Sequence, residues 1–166
     1  MAVKKVAKKV KKESPKASPA KEAKEIKEVS AVFSGEYFYA VGKRKTSVAQ
    51  VRIYPAAKDG KSKIIVNEKE LDVYFPIARL QNTVKDPLIG AGQEGKFNIS
   101  AKVYGGGVSS QAEAVRLGMA RALVKFDQTF TKALKDLGFL TRDSRAVERK
   151  KPGLKKARRS PQWAKR

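Results

Sequence analysis

Positive charge is distributed so unevenly along this chain that only its middle section has the composition of a folded domain. Residues 141–166 hold 11 basic and 2 acidic side chains, and residues 1–34 hold 10 basic and 4 acidic ones. Both ends have few large apolar residues, so they would bury too little surface to offset the entropy lost on ordering. The sequence therefore predicts a globular domain, residues 35–140, between a disordered Lys/Ala/Pro-rich extension, residues 1–34, and an extended basic tail, residues 141–166.

The net charge of +22 over 166 residues predicts a polyanionic partner, because binding negative charge relieves self-repulsion. An anionic membrane is disfavoured, since a membrane-binding segment needs several large apolar anchors and the tail after Val147 offers only Leu154 and Trp163. The sequence contains no Cys and no His, which removes thiolate and imidazole ligands and the commonest general base. We expect a nucleic-acid partner, no membrane partner, no metal, no cofactor and no catalytic residue.

Residue patterns in the middle section predict an α+β domain. Aromatic and β-branched residues on both sides of the basic stretch Gly42–Ser47 predict a strand pair or one long bent strand. The run SKIIVN predicts a short strand, and alternation from Lys96 to Val103 predicts another. The predicted helices are expected to cover one face of this sheet.

Helical segments are predicted before and after the alternating strand. The segment ELDVYFPIARLQNTV reads as short helical pieces broken at Pro76. Apolar spacing predicts a long helix from Ser110, with Ser110 and Glu113 forming a capping box. A last helix is expected to end at Gly138, a residue suited to a left-handed cap.

Two internal motifs could bind phosphate. Gly42–Ser47, GKRKTS, lacks the glycine and the hydroxyl that a nucleotide-binding loop requires, because Tyr37 and Arg44 stand at those places. It is either a phosphate clamp or a solvated hairpin tip. Gly105–Gly107 stand between a strand and a helix N-terminus, where backbone N–H groups can bind an anion or simply form a tight turn.

The tail is the most basic part of the chain. Pro152, Gly153 and Pro161 prevent a continuous helix, so the tail can lie extended along a phosphate backbone. Trp163 is either a stacking platform for a base or a plug in a protein pocket. The tail cations are Arg142, Arg145, Arg149, Lys150, Lys151, Lys155, Lys156, Arg158, Arg159, Lys165 and Arg166.

Three blocks of the sequence are informative together: AVGKRKTSVAQVRIYP, GGGVSSQAEAVRLGMARAL and GFLTRDSRAVERKKPGLKKARRSPQWAKR. They closely resemble the bacterial small-subunit ribosomal protein S9 family, and the resemblance runs from about Tyr37 to Arg166. It implies an α+β fold like the second domain of ribosomal protein S5, with a left-handed βαβ crossover. Residues 1–34 lie outside the resemblance.

The resemblance also implies a structural role in the head of the small ribosomal subunit, in the cytoplasm. The partners it implies are the 3′ major domain of the small-subunit rRNA, neighbouring head proteins and the peptidyl-site tRNA, whose anticodon stem-loop the tail reaches. Carried over by position, Lys165 and Arg166 would contact tRNA. The expected rRNA contacts are Lys43, Arg44, Lys45, Thr46, Gly105, Gly106, Gly107, Ser110 and the tail cations from Arg142 to Arg159.

Two positions depart from the family pattern. Trp163 stands where Phe or Tyr is usual, which preserves stacking, and Ala164 stands where Ser is usual, which removes a hydroxyl. Two alternatives to a ribosomal role are a DNA-compacting protein, suggested by the Lys-Ala-Pro leader, and a small-molecule kinase binding ATP at Gly105–Gly107. No paired carboxylates are placed for Mg²⁺ and general-base work.

Overall fold

The computed structural model of the chain describes Phe33, residues 35–55 and residues 62–164. The chain divides into two units, Met1–Ser34 and Gly35–Arg166, and all the strands and helices described below belong to the second. The predicted disorder of residues 1–34 lies outside the described residues, apart from Phe33.

The described residues form a mixed α+β domain around one small sheet, which confirms the predicted α+β class. The strands are β1 Phe38–Arg44, β2 Ser47–Pro55, β3 Ile64–Val66, β4 Lys69–Glu70 and β5 Phe97–Tyr104; the helices are α1 Leu71–Tyr74, α2 Ala78–Gly90, α3 Val108–Phe126 and α4 Phe130–Asp136. The sheet has the order β1-β2-β5-β3-β4, in which the β3–β5 pair is parallel and the other pairs are antiparallel.

The predicted strand pair is a hairpin with a two-residue turn. Arg44 pairs with Ser47, so Lys45 and Thr46 form the turn. Lys45 has a φ of 50°, in the left-handed region that hairpin turns of this length often use. The turn therefore holds a cation at the end of the sheet in a conformation that is uncommon for lysine.

Helix α3 packs directly on β1 and β2 because two glycines let the backbones approach each other. A Cβ added at Gly42 would lie 1.9 Å from the Ala114 carbonyl oxygen and 2.5 Å from the Gly118 nitrogen. One added at Gly118 would lie 2.6 Å from Cγ2 of Val51. Beside this contact, Val115 and Met119 of α3 are fully buried in the core.

Helix α3 also protects the outer edge of β1. Lys125 Nζ donates a 2.7 Å hydrogen bond to the Tyr39 carbonyl, and Arg121 Nη1 donates a 2.9 Å bond to the Val41 carbonyl. An edge strand with unpaired carbonyls is a template for pairing with another chain. These two side chains occupy two of those acceptors.

The predicted start and capping box of α3 are wrong. The helix begins at Val108 with Gly107 as its N-cap, so Ser110 is the third helical residue. The Ser110 hydroxyl accepts a 3.1 Å bond from the Gly107 N–H, the role that a capping box gives to the third residue. Glu113 pairs instead with Arg44. The helix therefore starts two residues earlier than predicted, directly after the glycine turn.

The boundaries of the remaining helices agree in part with the predicted ones. Pro76 separates α1 from α2 as predicted, but α2 continues through Pro87 to Gly90. The parallel pairing of β3 with β5 makes α1 and α2 part of a crossover. Gly138 has a φ of 72° and ends α4 as predicted, its N–H donating to the Lys135 carbonyl at 2.9 Å.

Candidate nucleic-acid interface

The two predicted phosphate motifs meet in the folded protein, although they lie far apart in the sequence. Val48 of β2 pairs with Tyr104 of β5, which brings the turn after β1 beside the turn after β5. Lys45 and Thr46 from the hairpin turn, Gly106 and Gly107 from the glycine turn, and the first turn of α3 line a recess of about 290 Å³. We call this feature the turn recess.

Two of the three glycines are required by the packing of the turn recess. Gly105 and Gly106 have φ values of 73° and 63°, which side chains rarely adopt. A Cβ at Gly105 would lie 2.5 Å from the Thr46 carbonyl oxygen, and one at Gly106 would lie 2.0 Å from Ser47 Oγ. Gly107 has nothing within 4 Å of its would-be Cβ. The tight-turn interpretation therefore accounts for Gly105 and Gly106.

A buried pair of serines joins the two turns from below. The Ser47 and Ser110 hydroxyl oxygens lie 2.9 Å apart, and Ser47 Oγ donates a 3.0 Å bond to the Gly105 carbonyl. Ser110 Oγ also lies 2.8 Å from the Gly107 carbonyl oxygen. Because both serines are buried and hydrogen-bonded within the protein, this geometry favours a positioning role for Ser110 over the predicted rRNA contact.

Arg44 is also engaged inside the protein. Its side chain is buried and forms an ion pair through Nε with Glu113 of α3. Its Nη2 lies 2.8 Å from Asp143 Oδ2, and its Nη1 donates a 2.6 Å bond to the Arg145 carbonyl. We call this group the tail anchor, because it fixes the start of the tail to the hairpin and α3. The geometry favours anchoring over the phosphate contact predicted for Arg44.

The three consecutive cations of the basic stretch lie on different sides of the sheet, because side chains alternate along a strand. Arg44 points to the α3 side of the sheet, where Ala40 and Gly42 also lie. Lys43 is exposed on the opposite side, and Lys45 is exposed at the turn. Lys43 and Lys45 are therefore the cations of this stretch with access to solvent.

The described part of the tail, residues 141–164, has no helix or strand and is largely exposed. It leaves the domain beside Phe139, whose ring lies 5.5 Å from the Arg116 guanidinium carbon. Exposure leaves the predicted tail cations accessible to a phosphate backbone. The exposed set is Arg142, Arg145, Arg149, Lys150, Lys151, Lys155, Lys156, Arg158 and Arg159.

Part of the tail is folded back on itself around one carboxylate. Glu148 Oε1 lies 2.9 Å from Lys151 Nζ, and Glu148 Oε2 lies 2.8 Å from Arg158 Nε. The Lys155 N–H donates a 2.7 Å bond to the Arg159 carbonyl. We call the three ion-paired side chains the tail clasp. Its presence shows that this stretch is not uniformly extended.

The two acidic residues of the tail titrate below their ordinary range. Hydrogen bonds from the side chain and backbone of Arg145 hold the pKa of Asp143 well below its usual value of 3.8. Hydrogen bonds from Lys151 and Arg158 lower the pKa of Glu148 from 4.5. Both carboxylates therefore remain charged partners for cations at neutral pH.

An exposed ring lies close to the end of the tail. The side chain of Trp163 is 85% exposed, which makes its ring accessible. Lys165 and Arg166, the predicted tRNA contacts, lie outside the described residues. Over the described ranges no helix is long and apolar enough to cross a membrane, and no group of three or more His, Cys, Asp or Glu side chains is placed to hold a metal ion.

Sequence reasoning missed three positioning residues, Ser47, Glu113 and Asp143. Ser47 lies on the same face of β2 as Ala49 and Val51, because alternate residues of a strand share a face. The sequence of β2 therefore does indicate that the Ser47 side chain faces the core. Glu113 and Asp143 become partners of Arg44 only through tertiary packing. No local pattern in the sequence indicates that contact.

Fold and surface together define a small basic α+β protein that presents a cationic recess and an exposed cationic tail, the features of a nucleic-acid-binding protein. Residues 42–166 match the model of the family described as Ribosomal protein S9/S16. The chain belongs to this family. It is therefore a structural, non-enzymatic protein of the small ribosomal subunit that binds rRNA among ribosomal neighbours.

Proposed function

We propose that this chain binds the 3′ major domain of the small-subunit rRNA in the head of the subunit, beside other head proteins in the cytoplasmic ribosome. Lys43, Lys45 and Thr46, the backbone of Gly105–Gly107 and the tail cations contact phosphates. Arg44 and Ser110 act indirectly, by holding the tail and the turns in place. The crossover between β3 and β5 is left-handed in this proposal, as in the second domain of ribosomal protein S5.

The meeting of the hairpin turn and the glycine turn is the observation that carries the proposal. The first N–H groups of a helix have no intrahelical acceptor, and the helix dipole favours an anion beside them. Lys45 adds a full positive charge at the same recess. A phosphate in the recess would contact both the helix N–H groups and the Lys45 ammonium. Each phosphate contact releases counterions, so RNA binding weakens as the salt concentration rises.

The tail anchor gives the tail a defined starting point. The Arg44 guanidinium contacts the Asp143 side chain and the Arg145 backbone, so the cations that follow begin at a fixed position on the domain. Phosphate contacts position a protein without reading base sequence. We therefore expect specificity to come from the shape of the RNA path that the tail enters.

The tip of the tail contacts the anticodon stem-loop of the peptidyl-site tRNA in this proposal. Lys165 and Arg166 bind its backbone, and Arg166 offers two parallel donors to phosphate. The exposed Trp163 ring supports a stacking role close to these cations. Ala164 contributes no hydrogen bond from its side chain.

Deletion of residues 164–166 tests the tRNA assignment. We expect the shortened chain to enter small subunits normally, because the remaining cations supply the rRNA contacts. Peptidyl-site tRNA affinity, measured on purified subunits by filter binding, should fall. The matched control is Lys132→Gln on α4, which removes one exposed cation from the folded domain and should leave tRNA affinity unchanged.

Loss of subunit assembly on deletion of residues 164–166 would show that the tip is structural. Unchanged tRNA affinity in normally assembled subunits would remove the tRNA contact from the proposal.

The family match supports the ribosomal interpretation over the DNA-compacting and kinase alternatives. Competition between an rRNA transcript and double-stranded DNA at equal nucleotide concentration gives a direct comparison, and we expect the rRNA to win.

A further inference from the structure

The side of the sheet opposite α3 carries exposed aromatic rings among cations. We call the part formed by β1, β2 and β5 the open face. The strand registers align Tyr39 with Arg52 and Ser100, and Lys43 with Val48 and Tyr104. The open face comprises Tyr39, Val41, Lys43, Val48, Gln50, Arg52, Ser100, Lys102 and Tyr104. Tyr37, just before β1, adds a further exposed ring beside it, whereas Tyr54 and Asn98 at the same end of the sheet are buried.

The rings of Tyr39 and Tyr104 are accessible to a ligand, and the Tyr104 ring has a contact that orients it. Tyr104 is 52% exposed and Tyr39 is 37% exposed. Gln50 Nε2 donates a 3.2 Å hydrogen bond to the Tyr104 hydroxyl. The Arg52 guanidinium carbon lies 5.2 Å from the centre of the Tyr37 ring, which places a cation against that ring.

The charge of this surface has one sign. Lys43, Arg52 and Lys102 are exposed on it, and β1, β2 and β5 contain no Asp or Glu. The nearest strand-borne acid is Glu70, on β4 at the far edge of the sheet. Three cations beside exposed tyrosine rings match a ligand that has both phosphates and aromatic faces.

We propose that the open face is a second RNA-binding surface, which takes a short unpaired rRNA segment by stacking bases on Tyr39 and Tyr104 while Lys43, Arg52 and Lys102 contact its phosphates. This inference rests on the proposed function and extends it from phosphate contact to base contact. Flat sheets with exposed rings bind two or three unpaired bases in other RNA-binding folds. A duplex does not offer its base faces to such a surface.

A protein partner fits this surface less well. Lysine is depleted at protein interfaces relative to the rest of the surface, whereas Lys43 and Lys102 are both exposed on this face. Gln50 and Ser100 add further polar groups at the centre. The surface therefore lacks the contiguous apolar centre that a stable protein contact requires.

Affinity of the full-length chain for a small-subunit rRNA transcript tests the proposal. Tyr39→Leu and Tyr104→Leu remove the ring but keep apolar volume, and each should weaken binding about five-fold or more. Tyr104→Phe keeps the ring and should bind like the original chain. Lys102→Gln should reduce the slope of log affinity against log salt by about 0.7, and the matched Lys132→Gln on α4 should not.

Thermal unfolding of each variant first establishes that the domain is intact. If a leucine variant does not fold, the separate Tyr104→Phe and Lys102→Gln variants still test the proposal. Leucine variants that fold and bind rRNA like the original chain, while Lys45→Asn binds less, would overturn this proposal and leave the proposed function standing. Leucine variants that bind rRNA normally but no longer enter subunits would assign the open face to a protein. Failure of the original chain to bind rRNA would overturn both proposals.

Discussion

Nη2 of Arg44 lies 2.8 Å from Oδ2 of Asp143, a contact that ties the last residue of β1 to the start of the tail. Glu113 of α3 pairs with Nε of the same guanidinium. A strand, a helix and the tail therefore depend on one buried arginine. The direction in which the tail leaves the domain follows from this arrangement.

Replacing Arg44 should weaken both the domain and the tail attachment. We expect Arg44→Gln to lower the free energy of unfolding by about 1–3 kcal/mol, because it removes hydrogen bonds to two charged partners. Urea unfolding of the purified chain measures this. Glu148→Gln, which alters only the exposed tail clasp, is the control and should leave the midpoint unchanged. Equal midpoints for Arg44→Gln and the original chain would contradict the anchoring role.

Replacing Asp143 should act locally. The Arg145 N–H donates a 2.9 Å bond to Asp143 Oδ1, so Asp143→Asn should speed hydrogen exchange at the Arg145 amide by weakening its acceptor. The effect on amides of β5 should be negligible. Unchanged exchange at Arg145 would show that the start of the tail is held by other contacts.

The close approach of β1 and α3 should tolerate no side chain at Gly42. Gly42→Ala places a Cβ against the backbone of Ala114 and Gly118, and we expect a loss of about 3 kcal/mol or more in unfolding free energy. Gly107→Ala is the matched control, because nothing lies within 4 Å of its would-be Cβ. Comparable unfolding midpoints for the two variants would be inconsistent with the packing described.

Neutralising Lys45 should weaken rRNA binding without disturbing the hairpin. Asn tolerates the left-handed conformation of this position, so Lys45→Asn separates charge from turn geometry. We expect lower affinity for all rRNA fragments and a smaller salt dependence, by about 0.7 to 0.9 in the log–log slope. Filter binding across a salt series measures both. A slope identical to that of the original chain would remove Lys45 from the phosphate contacts.

Acid should release the tail, whereas pH changes near neutrality should have no effect on it. The folded-state pKa values of Asp143 and Glu148 lie below 3.8 and 4.5, so their contribution is fully present above those values and is lost as pH falls through the folded pKa values. The sequence has no His, so we expect no change between about pH 5 and 8. Amide exchange and chemical shifts of Arg145 and Lys151, followed from acid to neutral pH, report the transition. Loosening of the tail near neutral pH would contradict this assignment.

The elements that were predicted correctly are those determined by interactions between residues close in sequence. Alternation located β5, aromatic and β-branched residues located the hairpin, and Pro76 and Gly138 marked real interruptions. Strand β4 has only two residues, which is too short to leave a periodic signal. Helix α2 passes through Pro87, a residue that local propensity treats as a stop, while Val84 and Leu88 on either side of it are buried in the core.

The candidate site was predictable in composition and less so in arrangement. The basic stretch, the glycine turn and the tail were all visible in sequence, and the recess brings the first two together. Arg44 is buried in contacts within the protein, whereas Lys43 and Lys45 are exposed. This difference depends on strand register and on partners from distant segments. The tail clasp likewise depends on Glu148 meeting Arg158 across a turn.

The most direct test of an rRNA-binding role is retention of the native chain on small subunits after a high-salt wash, with RNA crosslinks mapped from Lys155 to Arg166. Sedimentation on a sucrose gradient separates bound from released protein. We predict retention, with crosslinks to small-subunit rRNA near the peptidyl-tRNA site. Release of the chain from the subunit, with crosslinks to no particular RNA, would contradict the central claim.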